Sequence, residues 1–172
     1  MTHHENGLPP EPGPDAILQS GERSTLAAAA AGVEGVPYLG FHLGRDLYGV
    51  PLQRLREVAR LGRVRRIPGA PTGVAGLVNH RGEIVCALDT RAILGLDAWR
   101  PSETAALIAL RGFGYPVALV VDSIAEIVSI DPERIEPPPA AWPSQRAACC
   151  LGTTSVRLGF IGLLDLDQVV AE

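Results

Sequence analysis

The same order of short apolar runs occurs twice along this chain, and that duplication restricts its fold more than any other feature. Tyr38-Leu39-Gly40-Phe41-His42-Leu43 alternates, breaks at Gly44-Arg45-Asp46 and resumes at Leu47-Tyr48-Gly49-Val50, the pattern of a β-hairpin. Residues 52–61 fit a helix by Leu52, Leu55, Val58 and Ala59. The flanking Pro51 and Gly62, however, leave room for little more than a turn and a strand. Apolar runs at 75–80 and 84–88 make a second hairpin around Arg81-Gly82-Glu83, and 90–94 fits one helical turn. The series then restarts. A run at 104–110, the turn Gly112-Phe113-Gly114, and runs at 115–121 and 124–130 lead through a proline-rich loop to a last strand at 159–164. Asp165 can cap a closing helix over 166–170.

Each half carries an acid before valine or isoleucine on its third run (Arg56-Glu57-Val58, then Glu126-Ile127-Val128). Each half also ends a strand in Leu-Asp (Leu88-Asp89, Leu164-Asp165) before a short helix. Short strands duplicated at about 70 residues predict two small β-barrels packed together, with a single duplicated sandwich as the alternative. Each half alone is at the lower limit of independent stability, so a shared core is expected. Residues 1–35 fall outside this pattern. They hold four prolines between Pro9 and Pro14, an alanine run, and one arginine against five acids, and read as a disordered acidic tail before a domain at 36–170.

All 15 basic residues are arginine. Without lysine there is no Walker-type phosphate loop and no Schiff-base cofactor. GxSxG, HExxH, a GxGxxG opening a helix and spaced Cys/His quartets are also missing, so neither an enzyme nor a metal or cofactor site is expected. His42 lacks an evident nucleophile to serve, and Cys86 reads as a small buried hydrophobe. Cys149 and Cys150 would face opposite ways on a strand, and Asp89, Asp122 and Asp165 read as turn or cap residues. No apolar run reaches the ~18 residues of a membrane helix. The first residues lack a signal peptide's basic start, so a cytoplasmic protein with reduced thiols is expected.

Charge is unevenly spread. From Arg45 to Arg66 there are seven arginines and two acids; from Asp122 to Glu136 there are five acids and one arginine. Nucleic-acid binding through Arg54, Arg56, Arg60, Arg63, Arg65 and Arg66 is one reading. The acidic total of -4, 5% aromatics and the absence of a recognition helix weigh against it, and charged protein partners fit better.

Several stretches carry a family resemblance. Leu43-Gly44-Arg45-Asp46-Leu47-Tyr48-Gly49-Val50-Pro51, Ile67-Pro68-Gly69-Ala70-Pro71, Gly76-Leu77-Val78-Asn79-His80-Arg81-Gly82-Glu83 and Leu88-Asp89-Thr90-Arg91 together resemble CheW, the coupling protein of bacterial chemosensory arrays, and the similar regulatory domain of the kinase CheA. The resemblance implies a mainly β, non-catalytic adaptor. Its fold would be two intertwined, SH3-like five-stranded β-barrel subdomains with short helices. It also implies binding to the cytoplasmic tips of methyl-accepting receptors and to the regulatory domain of a CheA-type histidine kinase, at membrane-associated arrays without insertion. The array is either a flagellar one or one serving surface sensing, twitching or a second messenger.

Carried over position by position, receptor binding falls to Leu55, Glu57, Val58, Arg81, Ile124 and Ile127, with the four apolar residues lining a groove between the subdomains. Arg81 would either hold a partner's carbonyls or carboxylate, or brace its own turn. Kinase binding falls to Leu52 and Gly76. Tyr48, Gly49, Pro68, Asn79, Gly82 and Asp89 are the structural motif. His80 stands where an apolar residue is usual, beside the implied groove.

Overall fold

The computed structural model describes residues 34–97, 100 and 102–171; the tail expected at 1–35 lies outside them apart from Glu34 and Gly35. The first half of the chain forms β1 (Val36–Leu43), β2 (Asp46–Pro51), a 3-10 turn at Leu52–Arg54, β3 (Leu55–Arg60), β4 (Val64–Arg65), β5 (Val74–His80), β6 (Glu83–Asp89) and α1 (Thr90–Ile93). The second half forms β7 (Ala106–Leu110), β8 (Val117–Val121), β9 (Ser123–Ile130), α2 (Ser144–Ala148), β10 (Cys150–Val156), β11 (Gly159–Leu164) and α3 (Leu166–Ala171).

The halves exchange hairpins. One sheet runs β10-β11-β2-β1-β9 and the other β3-β7-β8-β6-β5-β4. Thus the β1–β2 hairpin sits among strands of the second half, and β7–β8 among strands of the first. The pairings repeat in kind: β1 with β9 and β7 with β3 are antiparallel, while β2 with β11 and β8 with β6 are parallel. The intertwining is therefore present, with one correction. The short β4 makes the second sheet six-stranded rather than five-stranded.

Both sheets curl into barrels. In a flat sheet β3 and β5 would be about 19 Å apart, four strand spacings, yet Glu57 of β3 touches His80 of β5. At the ends of the other sheet, Glu126 of β9 meets Arg157, which follows β10. Each barrel has its own interior: Tyr38, Leu47, Val128 and Ile161 fill one, and Val78, Val85, Leu107 and Val120 fill the other. A larger core containing Leu39, Phe41, Tyr48, Ile108 and Leu119 lies between them. Every residue of β7 and β8 is buried because alternate side chains enter the barrel interior and the inter-barrel core.

The aspartates act as the sequence suggests, with an addition. Asp89 Oδ1 accepts from the Ala92 amide at 3.1 Å to cap α1, and Asp165 Oδ1 accepts from Asp167 at 3.1 Å at the start of α3. Asp122 Oδ2 accepts from the Gly44 amide and from Arg91 Nη1, both at 2.6 Å, so it ties the first hairpin turn to the second half. Cys149 ends α2 and Cys150 opens β10; with only one of them on a strand, both are buried. Within the 137–148 loop Trp142 packs near Tyr48, and Arg146 lies 3.9 Å over the Trp142 ring.

Burial pushes the Cys150 thiol from its usual 9.0 up to about 12 and the Tyr48 phenol well above 10.0. Both groups are held protonated when folded but free to ionise when unfolded. Their contribution is complete below pH 9 and is lost as pH rises toward the folded values. The melting temperature is expected to fall steadily above pH 9, and less steeply in Cys150→Ala. A flat profile to pH 11 would contradict this.

Candidate functional site

The site is built on the β5–β6 turn. Asn79 Oδ1 accepts from the Gly82 amide at 3.0 Å, and Arg81 and Gly82 both hold left-handed backbone angles, φ +52 and +82. Two consecutive positive φ values are what a two-residue hairpin turn requires, and they match strand twist. Arg81 is the one described residue other than glycine in that region. Bracing is thus done by Asn79 and Gly82, while the Arg81 side chain remains 63% exposed.

Glu57 projects from β3 toward this turn and is only 13% exposed. Its Oε1 contacts His80 Nε2, and its Oε2 lies 3.4 Å from Arg81 Nη1. Beside them Arg56 Nη1 pairs with Glu83 Oε2 at 2.5 Å. Arg56, Glu57, His80, Arg81, Gly82 and Glu83 together line a shallow depression. Among the described residues no group of three or more His, Cys, Asp or Glu side chains is placed to hold a metal ion.

The remaining expected contact residues lie elsewhere or lie deeper. Leu55, Val58, Ile124 and Ile127 do come together, in the inter-barrel core, but each is at most 4% exposed. They pack a closed core rather than line an open groove, because the apolar face of β3 and of β9 turns toward the other barrel. Leu52 is likewise buried in that core. Gly76 sits at the register shift between β5 and β6, against β4: at φ +148, an added Cβ would be 2.2 Å from the Arg65 carbonyl oxygen. Gly49 packs against Ile161 and Leu163, Tyr48 is wholly buried, and Pro68 is exposed in the loop after β4.

Two residues the sequence reading did not select are exposed near the turn, Ile84 at 56% and Tyr115 at 53%. Each lies two residues before Cys86↔Val117, where the parallel pairing of β6 with β8 begins. They continue the inter-barrel face beyond its buried part, and their signal in the sequence is an apolar side chain next to a turn. Beyond β3, a 610 Å³ cleft is lined by Leu61, Val64, Ile67, Pro71 and Asp89 among others. Arg60, Arg63, Arg65 and Arg66 are exposed along that edge, whereas Asp131, Glu133 and Glu136 are exposed after β9 of the other barrel. No described helix is long and apolar enough to cross a membrane.

Comparison with known proteins agrees with this architecture. A family profile described as "CheW-like domain" matches residues 37–172. "Chemotaxis protein CheW" of Klebsiella aerogenes is 29% identical, over 87% of this chain and 90% of its own. The protein of the same name from Rhizobium meliloti is 26% identical, over 78% and 87%. The crystal structure of the scaffolding protein TtCheW from Thermoanaerobacter tengcongensis superposes with a TM-score of 0.68 at 26% identity, covering 77% of this chain and 86% of that one. Exchanged hairpins, paired barrels and the Asn-x-Arg-Gly turn thus fall within one profile that spans nearly all of the described residues, and this chain belongs to the CheW-like domain family of chemotaxis scaffold proteins.

Proposed function

We propose that the protein is a non-catalytic adaptor that couples methyl-accepting chemoreceptors to a CheA-type histidine kinase, working in the cytoplasm at receptor arrays. The observation that carries this reading is the Arg81 turn. A guanidinium is held out by a rigid two-residue turn, beside a carboxylate and next to the exposed Ile84 and Tyr115. Receptor tips are helical hairpins, and an exposed fork with an apolar shelf suits the polar and apolar faces of such a helix. The shelf takes the place of the open groove, since Leu55, Val58, Ile124 and Ile127 are enclosed. The kinase contact is assigned to the β4–β5 edge around Gly76, where β4 ends the sheet and leaves an unpaired strand edge. The nearby Arg60, Arg63, Arg65 and Arg66 suit an acidic partner face.

Arg81→Ala is expected to weaken binding of a receptor-tip fragment about tenfold or more, the range for losing a hydrogen-bonded charge. Its melting temperature should stay within about 2 °C of the original, because the exposed side chain makes a single long ion pair. Titration calorimetry and thermal melts check both. Unchanged affinity would remove Arg81 from the contact, and a large stability loss would make it a structural brace.

A further inference from the structure

The internal duplication supplies a control for the Arg81 site. Leu55 and Val58 of β3 correspond to Ile124 and Ile127 of β9, so Glu57 corresponds to Glu126. The pairing Asn79↔Ile84 corresponds to Ser155↔Phe160, so Arg81 corresponds to Arg157, and His80 to Val156. The same arginine–glutamate pair therefore occurs at both barrel closures, among neighbours that differ: Val156 stands for His80, Gly159 for Glu83 and Ala125 for Arg56.

Where the neighbour is Val156, the arginine closes fully onto its acid: Arg157 Nη2 lies 2.5 and 2.6 Å from the two Glu126 oxygens. Where the neighbour is His80, the imidazole takes Oε1 of Glu57, and Arg81 reaches only Oε2 at 3.4 Å. A carboxylate only accepts, so His80 Nε2 donates. Exposure does not separate the two arginines, at 63% and 75%. The neighbouring acid Glu83 is already held by Arg56 at 2.5 Å, which leaves Arg81 no other strong partner in the cluster.

We infer that His80 is a positioning residue: by occupying Glu57 it keeps the Arg81 guanidinium available to a carboxylate of a docking partner, while the equivalent Arg157 is held by its own chain. The availability of Arg81 stands on the geometry alone; its use by a receptor tip rests on the function proposed above. A carboxylate-bearing helix is the partner this chemistry fits, since a free guanidinium fork pairs with it through parallel hydrogen bonds.

Arginine-selective labelling with phenylglyoxal, read site by site by mass spectrometry, tests the availability without any partner. Arg81 is expected to react several-fold faster than Arg157. His80→Val should bring Arg81 down to the rate of Arg157, Glu57→Gln in that background should restore it, and Val156→His should speed Arg157. Equal rates for the two arginines in the unaltered protein, or an Arg81 rate unmoved by His80→Val, would overturn the inference. Should His80→Val fail to fold, Val156→His decides alone: an unchanged Arg157 rate overturns it. In binding, His80→Val should lower receptor-tip affinity about tenfold, with recovery in His80→Val/Glu57→Gln; no loss would overturn the partner step. If the unaltered protein binds no receptor tip, the proposed function fails, while the labelling still decides the role of His80.

Discussion

Ile108→Ala is expected to destabilise the whole protein by about 2–5 kcal/mol, the range for truncating a large buried aliphatic side chain. Ile108 is wholly buried in the inter-barrel core and stands between Val58 of β3 and Leu119 of β8 in the sheet register. Its strand comes from the second half of the sequence but lies among strands of the first. A cavity there weakens the barrel that Ile108 occupies and the core shared with the other. Neither half can close its sheet without the other's hairpin, so the melt should remain a single transition, lowered by about 6 °C or more. Two separated transitions would mean that the barrels fold independently, contrary to the exchanged hairpins. Ile84→Ala, on the same sheet but 56% exposed, serves as the control and should change stability by less than about 0.5 kcal/mol.

Gly76→Ala is the second large effect. The added Cβ would meet the Arg65 carbonyl oxygen at 2.2 Å and its carbonyl carbon at 2.8 Å, both backbone atoms that cannot swing aside. At φ +148 the new side chain adds about 1–3 kcal/mol of backbone strain. The expected outcome is a loss of about 3 kcal/mol or more, or detachment of β4 from β5, seen as loss of amide protection at Arg65 and Leu77. Gly82→Ala separates the two causes. Its φ is +82 but nothing lies within 4 Å, so it should show strain alone, about 1–2 kcal/mol. Should Gly76→Ala leave stability untouched and abolish kinase binding, Gly76 would be a contact residue rather than a packing one.

Hairpins were legible in the sequence because they alternate and are bounded by glycine, proline and aspartate, as around Gly44 and Arg81. β10 was not. Gly152 sits at a register shift and Thr153 and Thr154 are buried polar residues, so no apolar alternation marks the strand. Nor was β4, two residues within a run of arginines. The exchange of hairpins leaves no trace in periodicity, since a strand reads alike whichever half it pairs with; it came only with the family resemblance. At the site, the turn around Gly82 was legible because glycine suits a tight two-residue hairpin turn, whereas Asn79 and Arg81 came with the family resemblance. The burial of Leu55, Val58, Ile124 and Ile127 was not, because one apolar face serves equally to line an open groove or to close a core. His80 stood out as a departure, and only the geometry of Glu57 between it and Arg81 assigns its place.

Coupling requires that both partners bind together through different surfaces. Sedimentation of this protein with a receptor-tip fragment and the regulatory domain of a CheA-type kinase measures that directly. The expected result is a ternary complex, with Arg81→Ala losing the receptor fragment while keeping the kinase domain. A protein that binds neither partner, or binds each only by displacing the other, would contradict the coupling role.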